Sequence, residues 1–573
     1  MQSFQQLKHS AQGEKTGENS REIRVALLGD TATQLLTTAV KGMAAERGLP
    51  IHLFETEYNQ IERQVLDSTS ELHRFEAQYF VVFQSTHKLL GAYNAKECDG
   101  MNELADERLQ FVRTLSETIK GKIIYFNYPE IDDAVFGSYA NKTETSFSYQ
   151  VRKLNYELMR LAQVTPNLYI CDIAALQSQF GRSWLFSSSV YTATEMVLSI
   201  DALPYVASRV MDIICAMEGY CKKCLIVDLD NTLWGGEVGE NGWENIQIGH
   251  GLGIGRAFTE FQQWIKKLKN RGVIICVCSK NDEDKAKEPF EKHPDMVLRL
   301  DDISVFVANW ENKADNIRTI QQILHIGFDS MVFLDDNPAE RALVRESLPD
   351  VYVPELPEDP AEYLEFLYSL NLFETASIST ADKDRTRLYQ TEAKRTQTAQ
   401  KYSNGTDFLQ SLNMVSKVEG FTGYNTPRVA QLTQRSNQFN LRTVRLSEDQ
   451  VAAMELSDNY KTFSFSLKDR FGDNGLIGVI ILELQDGRKA FVHTWLMSCR
   501  VLKRGMEHFM LNTVMAWLRA NGYSLIMGEY IPSPKNSMVE DLYTKMGFAS
   551  TAENIYSMDV QTYEPLECFI QTE

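Results

Sequence analysis

Leu225-Ile226-Val227-Asp228-Leu229-Asp230-Asn231-Thr232-Leu233-Trp234-Gly235-Gly236 is the most informative stretch of the chain. Four apolar positions, residues 224–227, run straight into Asp228 and Asp230, and glycines follow. A short apolar run bounded by turn residues predicts a strand of a parallel sheet buried on both faces. Its carboxyl end is where open α/β sheets place their ligands. Two carboxylates two residues apart point the same way along a strand. Held together they repel unless a cation joins them, and hard oxygen donors favour Mg²⁺.

A lone Asp-x-Asp decides little, but three further pieces follow in order. Residues 273–278 form a second apolar run that ends in Ser279-Lys280-Asn281. Asn309-Trp310-Glu311-Asn312-Lys313 comes next. A third run, residues 331–334, ends in Asp335-Asp336-Asn337-Pro338. Together they offer carboxylates, a hydroxyl and a cation. That inventory suits phosphoryl transfer: a nucleophile, a metal, and positive charge on the phosphoryl oxygens.

The order Asp-x-Asp-x-Thr, Ser, Lys, Asp-Asp resembles the haloacid dehalogenase (HAD) superfamily. The resemblance implies that Asp228 is a nucleophile forming an aspartyl-phosphate. It makes Asp230 the general acid/base, with Thr232 orienting it. Ser279 and Lys313 would hold phosphoryl oxygens, and Asp335 and Asp336 would complete a Mg²⁺ site with Asp228 and the Asp230 main-chain carbonyl. The wording of DLDNTLWGGEVGENG, RGVIICVCSKNDEDKAKEPFEKHPDMVLRLDD, NWENKADNI and FLDDNPAERALVRESLPDVYVPELPEDP is narrower and resembles the subfamily IIIC, FkbH-like branch over about 140 residues. That branch implies chemistry on an acyl phosphate of the 1,3-bisphosphoglycerate kind, with phosphate removed and a glyceryl unit loaded as a thioester on an acyl carrier protein. Only 46 residues separate Thr232 from Ser279, so a large cap domain has no room and residues 234–249 read as a short flap.

At 573 residues the chain is long for one core, and three domains are expected. Residues 1–20 are polar and read as a disordered tail, residues 21–218 as an α/β domain, 219–374 as the Rossmann-like, capless HAD domain and 375–573 as a mixed α+β domain. An apolar fraction of 43% and a charged fraction of 24% are those of a soluble globular protein. No apolar run approaches the ~20 residues of a membrane span, and the amino terminus lacks the apolar core of a secretory signal. Nine scattered cysteines suit free thiols in the cytoplasm. Cys221 and Cys224 have zinc-like spacing without a second pair and read as ordinary cysteines. A net charge of −19 argues against nucleic acid as a partner. Docking of an acidic carrier protein would need a local basic patch, for which Lys503-Arg504 and residues 383–395 are candidates beside the plainer reading of solvated helix faces.

In the N-terminal region, apolar runs at 23–28, 51–54, 79–83, 123–126 and 168–171 alternate with helical stretches at 33–47 and 147–161. That alternation predicts a parallel sheet with helices on both faces. Gly29-Asp30-Thr31 ends the first strand and resembles the Gly-Asp-Ser of SGNH hydrolases, giving an SGNH/flavodoxin-like domain. Thr31 stands where the nucleophile would be. The family's late Asp-x-x-His is missing, since the segment reads Asp201-Ala202-Leu203-Pro204, so no base activates a hydroxyl and the domain is expected to be silent.

The C-terminal region reads as a hairpin over 475–484 and 490–497 around Asp486-Gly487, a helix to about 520 and a strand at 523–530. This resembles the GNAT acyltransferase fold, whose strand-to-helix loop binds the pyrophosphate of coenzyme A. Arg500, Arg504 and Gly505 would then bind coenzyme A or a phosphopantetheine arm, although Lys503 replaces the pattern's first glycine. Cys499 ends a strand beside Arg500, Lys503 and Arg504, a setting expected to favour thiolate and an acyl relay. Three functions stay open at this point. They are an acyl-phosphate enzyme loading a carrier, a phosphatase acting on a small phosphorylated substrate with water as acceptor, and a non-catalytic scaffold.

Overall fold

The computed structural model describes residues 2–13, 22–96, 98–378, 385–399, 401–402, 404–533 and 535–573. It divides into two compact units, Met1–Cys215 and Ala216–Glu573. No described helix is long and apolar enough to cross a membrane.

The first unit is built on β1 (Ile23–Gly29), β2 (Ile51–Glu55), β3 (Tyr79–Phe83), β4 (Lys122–Phe126) and β5 (Leu168–Cys171). Their order is β2-β1-β3-β4-β5 and every pairing is parallel. This is the flavodoxin-like doubly wound order; the alternating apolar runs predict the parallel sheet but not the order of its strands. All five residues of β3 are buried, as a strand covered on both faces must be.

The amino-terminal tail departs from expectation. Residues Phe4–Gln12 form a helix closed by a capping box between Ser3 and Gln6, and Phe4 and Leu7 are buried. It lies so close to helix Gln34–Glu46 that a Cβ on Gly42 would come within 2.1 Å of the Leu7 carbonyl oxygen. Two apolar side chains three apart on one face, a good cap and a glycine to lie against suffice to dock it. Of the remainder of 1–20, residue 1 and residues 14–20 lie outside the described residues.

The second unit holds two sheets. The first consists of β6 (Cys224–Val227), β7 (Ile274–Ser279), β8 (Val305–Ala308) and β9 (Met331–Leu334), parallel in the order β8-β7-β6-β9. Alternation along β6 sends Leu225 and Val227 into a core with Phe258, Phe261 and Ile265, and Cys224 and Ile226 into another with Ile317 and Ile320. Cys276 and Cys278 are fully buried in β7, and burial pushes the Cys278 thiol up. Strand β8 was not anticipated, because Phe306 and Val307 are only partly buried and the run is short.

The second sheet has nine strands: β10 (Met414–Ser416), β11 (Val418–Glu419), β12 (Tyr460–Asp469), β13 (Gly472–Gln485), β14 (Lys489–Met497), β15 (Leu525–Glu529), β16 (Ala549–Ala552), β17 (Ile555–Asp559) and β18 (Ile570–Thr572). The β13–β14 hairpin forms as predicted, with Gly487 and Arg488 both at positive φ in its turn. Helix Met506–Ala520 then leads to β15, which pairs parallel to β14.

Helix Arg385–Ala399 joins the two sheets. Tyr389 enters the core beside Cys224 and Cys276, whereas Arg395 pairs with Glu392 and, at 2.8 Å, with Asp469 at the end of β12. Arg504 reaches the same two carboxylates, and these groups are almost completely buried. The candidate basic patches are therefore neither docking surfaces nor solvated faces at Arg395 and Arg504. Residues 383 and 384 of the first lie outside the described residues.

Candidate active site

The four parallel strands of the first sheet of this unit deliver the site residues to one edge. Asp228 follows β6, and its N–H still donates to the Leu334 carbonyl of β9, so the ladder carries the aspartate to the carboxyl rim. Asn231 adopts a positive φ of 55°, which asparagine tolerates, and the chain folds back at once. Ser279 is the last residue of β7 and is buried. Lys313 opens helix Lys313–Leu324, which is capped by the Asn312 side chain. Asp335 and Asp336 follow β9.

Asp228, Asp335 and Asp336 converge. One carboxylate oxygen from each lies within 4.8 Å of the others. Lys313 Nζ stands 2.8 Å from Asp228 Oδ2 and 2.5 Å from Asp335 Oδ2. Burial, and then the Asp228 charge, push the Asp335 and Asp336 carboxyls above the usual range. Burial opposes the Lys313 charge, but Asp228 and Asp335 outweigh it and raise its pKa. Asp228 Oδ1 is buried and has no hydrogen-bond partner among the described residues. Three converging carboxylates, one with an unpaired buried oxygen, are the donor set a hard divalent cation requires, so these residues fit Mg²⁺.

Asp230 is held differently from the expectation. Its Oδ1 accepts from Trp234 Nε1 at 2.9 Å and from the Val238 N–H at 3.0 Å, and its Oδ2 accepts from Asn281 Nδ2 at 2.7 Å. Thr232, expected to orient Asp230, instead clasps Asp336. Trp234, Asn281 and the flap N–H of Val238 were all missed as site elements. Arg341 was missed as well; its Nη1 donates to the carbonyls of Asp335 and Asp336 at 2.8 and 2.7 Å and fixes the acidic turn.

The flap is short. A bridge between Gly235 and Gln247 closes a loop that contains helix Val238–Asn241 and a turn at Trp243–Asn245. The interval from Ser279 to Lys313 holds helix Glu283–Lys292, one short turn and β8. The carboxylate site therefore has a flap rather than a cap domain over it.

The C-terminal candidates stand elsewhere. Cys499 lies in a turn, Cys499–Val501, beyond the end of β14. Burial raises its thiol pKa, against the opposing charges of Lys223 and Arg500, so the thiolate-favouring setting is corrected. Arg504 is turned inward to Glu392 and Asp469, and Arg500 is buried with its guanidinium on Ser498 Oγ and the Asn474 carbonyl. Neither presents a free fork to a pyrophosphate. Gly505 caps helix Met506–Ala520 with φ 73°. In the first unit, Thr31 is fully buried and its hydroxyl has no partner among the described residues.

Comparison with known proteins agrees with this geometry. Residues 24–215 match the family described as FkbH, N-terminal domain. Among solved structures, the chain is similar to the N-terminal part of the protein BF1531 from Bacteroides fragilis, described as containing a phosphatase domain and complexed with Mg. The identity is 62%, the match covers 66% of this chain and 100% of that one, and the TM-score is 0.64. Further structural matches cover 26% of the chain at a TM-score of 0.21: the ribosomal-protein-S18-alanine N-acetyltransferase of Escherichia coli, 15% identical over 97% of its length, and the Vibrio cholerae spermidine N-acetyltransferase in complex with CoA and spermine, 13% identical over 97%. No curated protein matches the chain. The fold and the acidic site define a HAD-type phosphatase. Its particular place is within that class: the chain belongs to the FkbH-like family.

Proposed function

We propose that the protein is a Mg²⁺-dependent enzyme that converts an acyl phosphate such as 1,3-bisphosphoglycerate into a glyceryl thioester on a carrier protein. The convergence of Asp228, Asp335 and Asp336 around Lys313, with Asp228 Oδ1 left unpaired, supports it above all. Mg²⁺ held by these three carboxylates would neutralise charge on the phosphoryl oxygens.

Asp228 attacks phosphorus of the phosphate monoester, the P–O bond to the substrate hydroxyl breaks, and Asp230 supplies the proton to that oxygen. Water then cleaves the aspartyl-phosphate, with Asp230 taking its proton. Lys313 and Ser279 hold the equatorial oxygens. At the other end of the substrate, the carrier's phosphopantetheine thiolate attacks the acyl carbon and expels the second phosphate. The raised thiol pKa of Cys499 favours this direct handover over a relay through the enzyme.

The test is intact-mass analysis of a phosphopantetheinylated carrier after incubation with enzyme, Mg²⁺ and 1,3-bisphosphoglycerate. A glyceryl mass gain with release of both phosphates is expected. Phosphate release with no mass gain would leave a phosphatase whose acceptor is water.

A further inference from the structure

Strands β14 and β15 pair in parallel only from Lys489 to Val492 and from Leu525 to Gly528. Beyond those pairs, residues 439–441 lie between the two strands. The Leu441 N–H donates to the Trp495 carbonyl at 3.2 Å and the Met497 N–H to the Phe439 carbonyl at 3.0 Å, an antiparallel pairing centred on Asn440 and Leu496. The other edge of β14 is taken by β13 at the same residues. Across the gap, the Ile531 N–H, just past the end of β15, donates to the Leu441 carbonyl at 2.9 Å. A strap from the chain itself thus restores hydrogen bonding to both sides of the gap.

The strap is anchored by its side chains as well. Asn440 and Leu441 are fully buried, and Phe439 and Leu441 join the core of the nine-stranded sheet. Asn440 Oδ1 accepts the Thr443 N–H at 2.9 Å, and its Nδ2 donates to the Ser436 carbonyl at 3.1 Å. Asn536 Nδ2 donates to the Asn440 carbonyl at 2.9 Å. Arg442 Nε reaches Glu529 of β15 at 2.8 Å, and its Nη1 reaches the His493 carbonyl of β14 at 3.0 Å. Thr443 then turns at φ 49°, a conformation that a β-branched residue adopts only where its surroundings impose it. At the closed end of the gap, where Gly528 pairs with Val492, a Cβ on Gly528 would collide with the Tyr543 hydroxyl, so that ring packs against the last pair.

Coenzyme A and phosphopantetheine share an amide-bearing arm, and such an arm pairs with free main-chain N–H and C=O groups as an added strand does. Helix Met506–Ala520 follows β14, so an arm whose pyrophosphate met that helix's N-terminus would run back along the end of β14. The groups it would need there, the Trp495 carbonyl and the Met497 N–H, are those the strap uses. Arg500 and Arg504, the cations expected to meet the phosphates, are engaged elsewhere. We propose that the strap closes the C-terminal sheet, which takes neither coenzyme A nor a phosphopantetheine arm between β14 and β15. This holds whatever the acceptor in the proposed reaction, and any thiol that receives an acyl group is then met outside this gap.

The test is hydrogen–deuterium exchange of the full chain with and without coenzyme A at millimolar concentration. The Leu441, Met497 and Ile531 amides should exchange about a hundredfold or more slowly than unstructured ones, and coenzyme A should leave them unchanged. Leu441→Ala deletes the strap's core anchor and should speed exchange at Met497 and Ile531 by about tenfold or more. If that variant fails to fold, Arg442→Gln, which frees the strap from Glu529, should speed the same two amides. Fast exchange at Leu441 and Met497 in the native chain would show that the strap does not hold the gap. A change at these amides on adding coenzyme A would show that the arm displaces it. Either result, or unaltered exchange in the folded strap variants, would overturn the assignment.

Discussion

The hydroxyl of Thr232 donates to Asp336 Oδ1 at 3.1 Å and accepts the Asp336 N–H at the same distance. One side chain thereby ties the loop after β6 to the loop after β9 and fixes the aim of the outermost metal-site carboxylate. Thr232→Val keeps the shape and removes both bonds. Loss of such a supporting contact should weaken Mg²⁺ affinity by about 10- to 100-fold. Magnesium titration of phosphate release measures this; unchanged affinity would show that Asp336 needs no such clasp.

Asp228→Asn should abolish phosphate release, by roughly a thousandfold or more, since an amide cannot form the aspartyl-phosphate. The protein should stay folded, because the change removes one of three crowded carboxylates. A phosphate assay paired with circular dichroism checks both halves, and an active, folded variant would remove Asp228 as nucleophile.

Asn281→Ala deletes the 2.7 Å donor to Asp230 Oδ2. Trp234 and Val238 still hold Oδ1, so the carboxylate remains but swings. A general acid/base is worth about 10²–10⁴-fold, and a partial loss of its aim should lower kcat by about tenfold with little change in KM. A change confined to KM would place Asn281 in substrate binding instead.

Asp30, at the end of β1, is pushed up to about 7 by burial, despite the Ser85 N–H and the Arg108 charge. Its folded pKa exceeds the unfolded value of 3.8, so the folded state holds the extra proton between them. This contribution to stability is complete below about pH 4 and is lost as pH rises towards 7. The ceiling is about 4 kcal/mol, three units at 1.36 each. Asp30→Asn should therefore be stabilising at pH 8 relative to the native chain and nearly neutral at pH 4.5. Urea melts of the first unit's transition at the two pH values give the comparison.

Asp469→Ala leaves Arg395 and Arg504 sharing Glu392 alone in a buried setting. Breaking such a network costs about 3–5 kcal/mol. Denaturation of the second unit should show it, whereas phosphate release at low temperature should survive, since the network lies outside the carboxylate site.

The parts of the molecule legible in the sequence are those in which one physical demand dominates. Strands β3, β6 and β9 are apolar throughout, and β1 is so apart from Arg24, because both faces are covered, and each announces itself without help from its neighbours. The carboxylates and Lys313 were legible because a phosphoryl site needs those groups at strand ends. Cys499 was misread for a different reason. Arg504 is near it in sequence, but its guanidinium turns towards Glu392, 112 residues away. Trp234 was hidden because only the backbone's reversal at Asn231 brings it to Asp230, and Asn281 because only the pairing of β7 with β6 brings it there. The docked helix Phe4–Gln12 depends on the bare backbone at Gly42, which composition does not reveal.

Trp234 is fully buried, and its indole N–H rests on a carboxylate oxygen of Asp230. An indole's emission shifts with the electric field across its ring. A proton arriving at or leaving Asp230 changes that field at a contact of 2.9 Å. The enzyme thus carries its own optical probe, and a stopped-flow fluorescence trace, referenced to Trp234→Phe, would time the proton transfer separately from the appearance of phosphate.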